Sequence, residues 1–304
     1  MTMEIVPFEA DELLNWQSLT DALEAGHRLP AAEVGDSLLY RDNDTLLNRA
    51  AWIDGLGQLV KCATIFPGNG AHGKPTINGS VTLYTDKTGE LEGLIDFHLV
   101  TKWKTAGDSL LSCKKLARKD SRKVLLVGTG AVAHSMIPAY ASLLENPEFS
   151  VWGRNPVTAR AFADATGATA VTDLEAAVRG ADIICTATMS KEPLILGEWL
   201  QPGQHLDLIG AYRPDMREVD DEAMSRARIF VDARATTVHH IGELMMPIAS
   251  GAINEGNISA DFYDMAKGGF TRRSDDEITI AKNGGGAHLD LMTAAYILQT
   301  WKAR

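Results

Sequence analysis

Gly128, Gly130 and Ala133 stand in the spacing G-x-G-x-x-A, directly after the apolar run from Lys123 to Val127. That spacing can hold a pyrophosphate. The first glycine allows a tight turn, the second lets the backbone approach the phosphates, and the alanine keeps the next helix close to its strand. The apolar run from Val132 to Leu144 supplies that helix, whose free N–H groups face an anion. Strand, small residues and helix in this order mark a dinucleotide site. Its candidate contacts are Gly128, Thr129, Gly130, Ala131 and Val132 on the loop, Arg154 and Asn155 after the next strand, Thr188 further on, and Thr105. An NAD-specific site ordinarily carries an acid at the end of that next strand. Here the strand ends Val151-Trp-Gly-Arg-Asn155, and a guanidinium can pair with a 2′-phosphate in bidentate fashion. NADPH is therefore the expected cofactor, with NADH the alternative.

The elements that position this loop alternate. Phe149 to Trp152 reads as a strand and Pro156 to Thr166 as a helix with proline in its first turn. Helices at Asp173 to Arg179 and Asp220 to Ala227 interleave with strands at Asp182 to Thr186, Gln204 to Ile209 and Arg228 to Asp232. The pattern predicts a doubly wound parallel sheet, an α/β fold of Rossmann type. A helix near Ala260 to Lys267, a strand from Glu277 to Lys282 and a long helix from Ala287 to Trp301 follow. Gly284-Gly-Gly286 breaks the chain before that last helix, which is expected to leave the sheet and pack on the N-terminal part. The first hundred residues read differently. A helix covers Asp11 to His27. Strands cover Ser37 to Arg41, Leu46 to Ile53 and Gln58 to Phe66, and a hairpin joins Ser80–Thr85 to Leu91–Leu99 around Asp86-Lys-Thr-Gly89. A helix capped by Thr101 then runs to Arg118. The expected domains are 1–119 with 284–304, and 120–283.

Composition narrows the function. A net charge of −11 argues against nucleic acid or an anionic membrane as partner. No apolar run approaches a membrane span, and the opening residues lack the pattern of a signal peptide. Cys62, Cys113 and Cys185 are far apart, with no C-x-x-C pair. A reducing, cytoplasmic setting without disulfide or metal is expected. Cys185 reads as a small buried residue rather than a nucleophile. His239-His240 could suggest a metal, but adjacent residues on a helix point apart, so a surface role is expected. The acidic run Asp275-Asp-Glu277 reads as a solvated turn.

The chain resembles the ornithine cyclodeaminase and mu-crystallin family over nearly its whole length. The likeness rests on Val60-Lys61, Phe66-Pro-Gly-Asn69, Asp86-Lys-Thr-Gly89, Leu99-Val-Thr-Lys-Trp-Lys-Thr-Ala106, Leu116-Ala-Arg118 and Val127-Gly-Thr-Gly130. It continues in Arg179-Gly-Ala-Asp182, Thr186-Ala-Thr188, Ile209-Gly210, Met216-Arg-Glu218, Val231-Asp232 and Asp276-Glu-Ile-Thr279. It implies a Rossmann domain plus an N-terminal α/β domain that binds substrate, forms a homodimer and is completed by the C-terminal helix. Members include cyclodeaminases, alanine dehydrogenases, imine reductases and a hormone-binding crystallin. The cyclodeaminases place an aspartate acid/base two residues before a proline, where this chain reads Gly210-Ala-Tyr-Arg-Pro214. Tyr212 takes the aspartate's place, and a phenol does not replace a carboxylate base at neutral pH. Trp103-Lys104-Thr105-Ala106 and the Gly-Gly-Gly-Ala-His-Leu-Asp290 ending resemble the branch of 1-pyrroline-2-carboxylate reductases. That likeness implies NAD(P)H-dependent reduction of a cyclic imino acid, to L-proline or its six-membered homologue L-pipecolate. Arg41 and Lys61 stand at family positions that meet the substrate carboxylate; Lys61 could neutralise it or exchange a proton with the imine nitrogen. Lys104 is expected near the cofactor or the carboxylate. Asn78 is a further pocket candidate, and the likeness puts His288 and Asp290 near the nicotinamide, with a helix-capping or interdomain role as the alternatives. Ornithine cyclodeaminase, alanine dehydrogenase and non-enzymatic binding are the competing readings.

Overall fold

The computed structural model describes residues 3–304. It divides into two compact units: residues up to Lys104 together with Gly286–Arg304, and Thr105–Gly285.

The first unit is built on a six-stranded sheet of β1 (Glu4–Val6), β2 (Glu33–Arg41), β3 (Asp44–Ile53), β4 (Gly57–Ile65), β5 (Ile77–Tyr84) and β6 (Leu91–Asp96), in the order β1-β6-β5-β4-β3-β2. All neighbours are antiparallel except β1 and β6. Burial alternates along β4, with Leu59, Lys61 and Ala63 turned inward, as a half-covered sheet requires. The cover is α1 (Trp16–Gly26) and the C-terminal α9 (Ala287–Lys302), which packs on α1 and on β3 and β4. The last helix thus joins the N-terminal sheet, as its glycine break predicted. The sequence-predicted helix from Asp11 starts only at Trp16. Asn15 caps it, its side chain accepting from Ser18 N, while Asp11 is held by Lys102 and by the indole of Trp103. The strand predicted to reach Leu99 stops at Asp96, and α2 (Phe97–Leu116) begins there. Asp96 accepts from Leu99 N at the helix start, so Thr101 lies inside the helix and is not its cap.

The division between units falls inside α2, about four turns before the boundary expected at residue 119. Trp103 stacks on Trp16 at 3.8 Å in the first unit, whereas Ser109 is bonded to Asn283 in the second. The second unit holds eight strands: β7 (Lys123–Val127), β8 (Glu148–Trp152), β9 (Thr169–Ala170), β10 (Ile183–Thr186), β11 (His205–Leu208), β12 (Arg228–Val231), β13 (Ile258–Ala260) and β14 (Thr279–Lys282). Their order is β13-β12-β14-β11-β10-β7-β8-β9 and every pair is parallel. The helices are α3 (Ala131–Ala141), α4 (Pro156–Thr166), α5 (Leu174–Gly180), α6 (Asp221–Arg226), α7 (Arg234–Thr237) and α8 (Gly242–Ser250). The doubly wound fold is present, with strands β7, β10 and β11 buried throughout their apolar runs. The helix expected near Ala260 is a 3-10 helix, Phe262–Lys267, capped by Asp261. β1 and α8 carry no strong periodic signal in sequence: β1 has three residues, and α8 contains Pro247.

Candidate active site

The second unit presents an anion cradle at the carboxyl end of its sheet. Gly128 has φ +121°, and a Cβ there would lie 2.7 Å from the Ala187 carbonyl oxygen, so only glycine fits. Gly130 is the N-cap of α3, without a side-chain cap, and nothing lies within 4 Å of where its Cβ would be. The first N–H groups of α3, from Ala131 and Val132, are thus left for a ligand. Gly153 approaches Thr129 so closely that a Cβ would lie 2.9 Å from its Cγ2. The chain order reverses between β8 and β10 on either side of β7, the switch point at which such sheets bind nucleotides. The residues present fit a dinucleotide. Arg154 and Asn155 are exposed after β8; the Asn155 side chain caps α4 by accepting from Val157 N. Thr188 is half-buried after β10, and Thr105 is half-buried in α2.

The first unit holds a charge cluster around a buried ion pair. Register pairs Arg49 of β3 directly with Lys61 of β4. Lys61 Nζ donates to Asp290 Oδ1 at 2.8 Å and to Thr101 Oγ1 at 3.0 Å, and lies 4.8 Å from the Phe97 ring centroid. Asp290, in the first turn of α9, is fully buried. Arg49 Nη1 is 3.8 Å from Asp290 Oδ2, and Arg49 also donates to Asp36 at 2.8 Å. Burial pushes the Lys61 ammonium below its ordinary value; the Asp290 charge opposes this, while Lys104 and Arg49 add to it. Burial would raise the Asp290 carboxyl, but Lys61, Lys104 and Arg49 together hold it below the usual carboxylate value. Three cations therefore face two carboxylates, leaving one positive charge for an anionic ligand. Two of the three Lys61 donors are committed, and the third is available.

Of the residues singled out in the sequence, Lys61 and Lys104 belong to this cluster and Arg41 does not. Arg41 ends β2 opposite Asp44, to which it donates at 2.8 Å, and its side chain is 74% exposed. Because Asp36, Arg49 and Lys61 are directly paired across three strands, the alternation of β2 puts Arg41 on the opposite face. Asn78 bonds the Pro75 carbonyl. Asp290 does not cap α9: its carboxylate is taken by Lys61. His288 is buried, its ring edge-on to His27 at 5.6 Å. Tyr212 is 57% exposed. Cys185 is fully buried, and burial raises its thiol, so it is no nucleophile. His239 and His240 lie in an exposed turn, and among the described residues no group of His, Cys, Asp or Glu could hold a metal ion. Arg49 escaped the sequence reading, although the hairpin carried it: four residues back from Ile53 and four on from Gly57 must face each other once those two pair.

A dinucleotide cradle on a doubly wound sheet, joined to a separate unit with a buried lysine–carboxylate pair, defines a dinucleotide-binding α/β protein. The profile of the ornithine cyclodeaminase/mu-crystallin family matches residues 54–304, and the chain belongs to that family. It is 49% identical over 296 residues to a Delta(1)-pyrroline-2-carboxylate reductase of Paracoccus denitrificans, covering 95% of this chain and 94% of the relative. Among solved structures it resembles the Delta(1)-pyrroline-2-carboxylate reductase of Thermococcus litoralis in complex with NADH and L-proline (TM-score 0.89, 26% identity, 99% and 98% of the two chains). It also resembles an archaeal alanine dehydrogenase dimer with bound NAD (TM-score 0.89, 26% identity, 100% and 97% covered).

Proposed function

We propose that this chain is an NAD(P)H-dependent imine reductase that converts 1-pyrroline-2-carboxylate to L-proline, and 1-piperideine-2-carboxylate to L-pipecolate. The observation that carries it is the Lys61–Asp290 pair beside Arg49: a buried site of net positive charge suited to a small carboxylate whose neighbouring atom needs a proton. A reduced nicotinamide supplies the hydride. The chain's own residues do the rest. Arg49 and Lys104 hold the carboxylate and so orient the imine carbon. The free Lys61 donor bonds the imine nitrogen, keeping it protonated so that the C=N electron pair collapses onto nitrogen as the carbon is reduced. Asp290 stays ionised and steadies the ammonium between turnovers. Lys61 needs a lowered proton affinity for this exchange, which its burial provides. Tyr212 offers no carboxylate for lyase chemistry, which favours reduction over ornithine cyclodeamination.

Arg154, exposed after β8, reads the 2′-phosphate, so NADPH is preferred to NADH. The free thiols suit a reducing, cytoplasmic setting. The protein works as a homodimer through β2 and the open face of its sheet, where Leu39, Trp52 and Val60 stand exposed.

The test is loss of reduced-nicotinamide absorbance on adding 1-pyrroline-2-carboxylate, with 1-piperideine-2-carboxylate, pyruvate plus ammonia, and L-ornithine in parallel. Rapid oxidation with a cyclic imine alone is expected. Silence there, with ammonia released from ornithine, overturns the reading.

A further inference from the structure

We propose that Glu218 is a positioning residue for the nicotinamide end of the cofactor site, clamping together the loops that follow β10 and β11. The inference rests on the reading of this unit as a nicotinamide-dependent Rossmann domain. In such a sheet a dinucleotide crosses the carboxyl ends of the strands at the switch point. With Arg154 marking the adenosine side at β8, the nicotinamide lies towards β10 and β11. There the ladder ends. The last paired residues are Thr186 and Leu208, and the next bonds, from Ile209 and Gly210 N–H, both return to the Thr186 carbonyl. Beyond that point one side chain replaces the ladder.

Glu218 is fully buried and accepts from both loops. Its Oε1 accepts from Thr188 N at 2.8 Å and Thr188 Oγ1 at 2.7 Å. Its Oε2 accepts from Gly210 N at 2.8 Å and Ala211 N at 3.2 Å. A Cβ on Gly210 would sit 1.9 Å from the Thr188 carbonyl and 2.5 Å from Glu218 Oε1, so the loops touch through the clamp. The clamp is itself held. Glu243 Oε2 accepts from Glu218 N at 2.7 Å and Oε1 from Val219 N at 3.0 Å, while the Glu218 carbonyl accepts from Leu194 and Ile195 N–H. Burying a carboxylate is costly unless every acceptor is used. All four bonds to this one go to the two ligand-end loops and none to the rest of the core. The same loops present Met189 and Tyr212, 71% and 57% exposed, at the end of the sheet.

The test compares two probes by calorimetry: the full reduced dinucleotide, and ADP-ribose, which lacks the nicotinamide. In Glu218→Gln an amide N–H₂ faces two N–H donors, so one loop is released. The full dinucleotide should bind about tenfold more weakly, as expected for losing bonds to a charged acceptor, with ADP-ribose changed less than about twofold. kcat should fall, and the isotope effect from 4-deuterated cofactor should rise as hydride transfer becomes limiting. Glu218→Asp keeps the charge and shortens the reach. It serves if the amide variant does not fold, and it should weaken the dinucleotide more than ADP-ribose. If both probes weaken together, or neither does, Glu218 is merely structural and the proposal falls. Wild-type imine reduction is scored separately. A wild type that binds dinucleotide without reducing an imine removes the assigned substrate and leaves the clamp to be judged on its own ratio.

Discussion

Single side chains decide the chemistry here, and two arginines make the sharpest comparison. Arg49, half-buried, stands beside the buried Lys61–Asp290 pair, while Arg41 is solvent-exposed and paired with Asp44. Arg49→Ala should raise KM for the cyclic imine about tenfold or more, since it removes a charge-assisted contact to the carboxylate. Arg41→Ala should change KM less than about twofold. Steady-state kinetics of the two variants reads this directly, and a reversed ranking removes Arg49 from the substrate site. In the dinucleotide-binding unit, Arg154→Asp should shift the ratio of kcat/KM for NADPH over NADH at least about tenfold towards NADH. An unmoved ratio means Arg154 does not read the phosphate. Lys61 was visible in sequence through its family motif. Its counter-ion was not, because no local pattern links residue 61 to residue 290; only the packing of α9 on β4 brings them together.

At the scale of elements, α8 brings Glu243 into the fully buried neighbourhood of Glu218 and Lys282. Burial raises the Glu243 carboxyl from 4.5 to about 7; the Glu218 charge adds to this and Lys282 opposes it. An acid whose folded value is raised binds a proton in the folded state that the unfolded chain has lost. Its contribution to stability is full below pH about 4.5 and fades as pH rises to about 7. Stability of the native protein should therefore decline between those values, and Glu243→Gln should flatten that decline. Urea unfolding across the window measures it; equal slopes for the two proteins would mean that Glu243 does not titrate there. α4 was legible to the residue because Asn155, Pro156 and Gly167 punctuate it. The start of α2 was not, because Thr101 is an equally good cap by type and only the fold shows that Asp96 takes that part.

For the whole molecule, alternation and apolar runs revealed most strands of both sheets, since a strand that buries one or both faces writes this in its residues; the three-residue β1 and the exposed β2 carry little of that signal. The boundary between units was harder to read. A continuous helix, α2, carries no break in composition where its packing partners change. The open face of the first sheet also makes a prediction. Leu39 and Trp52 are 63% and 52% exposed on that face, and apolar side chains left open on one sheet face are candidates for a contact between chains. Leu39→Lys with Trp52→Glu should turn a dimer into a monomer by light scattering without lowering Tm in proportion. A dimer that persists in that double variant rules out this face.

Chain threading sets a timetable. The sheet that carries Lys61 is translated first, the Rossmann unit next, and Asp290 only with α9. Domains tend to fold in the order they leave the ribosome. A nascent chain can therefore complete its dinucleotide cradle while Lys61 still lacks its counter-ion and the first sheet still lacks the helix that packs on β3 and β4. During synthesis the dinucleotide cradle can thus be complete before the Lys61–Asp290 pair exists, and the closing helix acts as the last stitch that brings that pair into being.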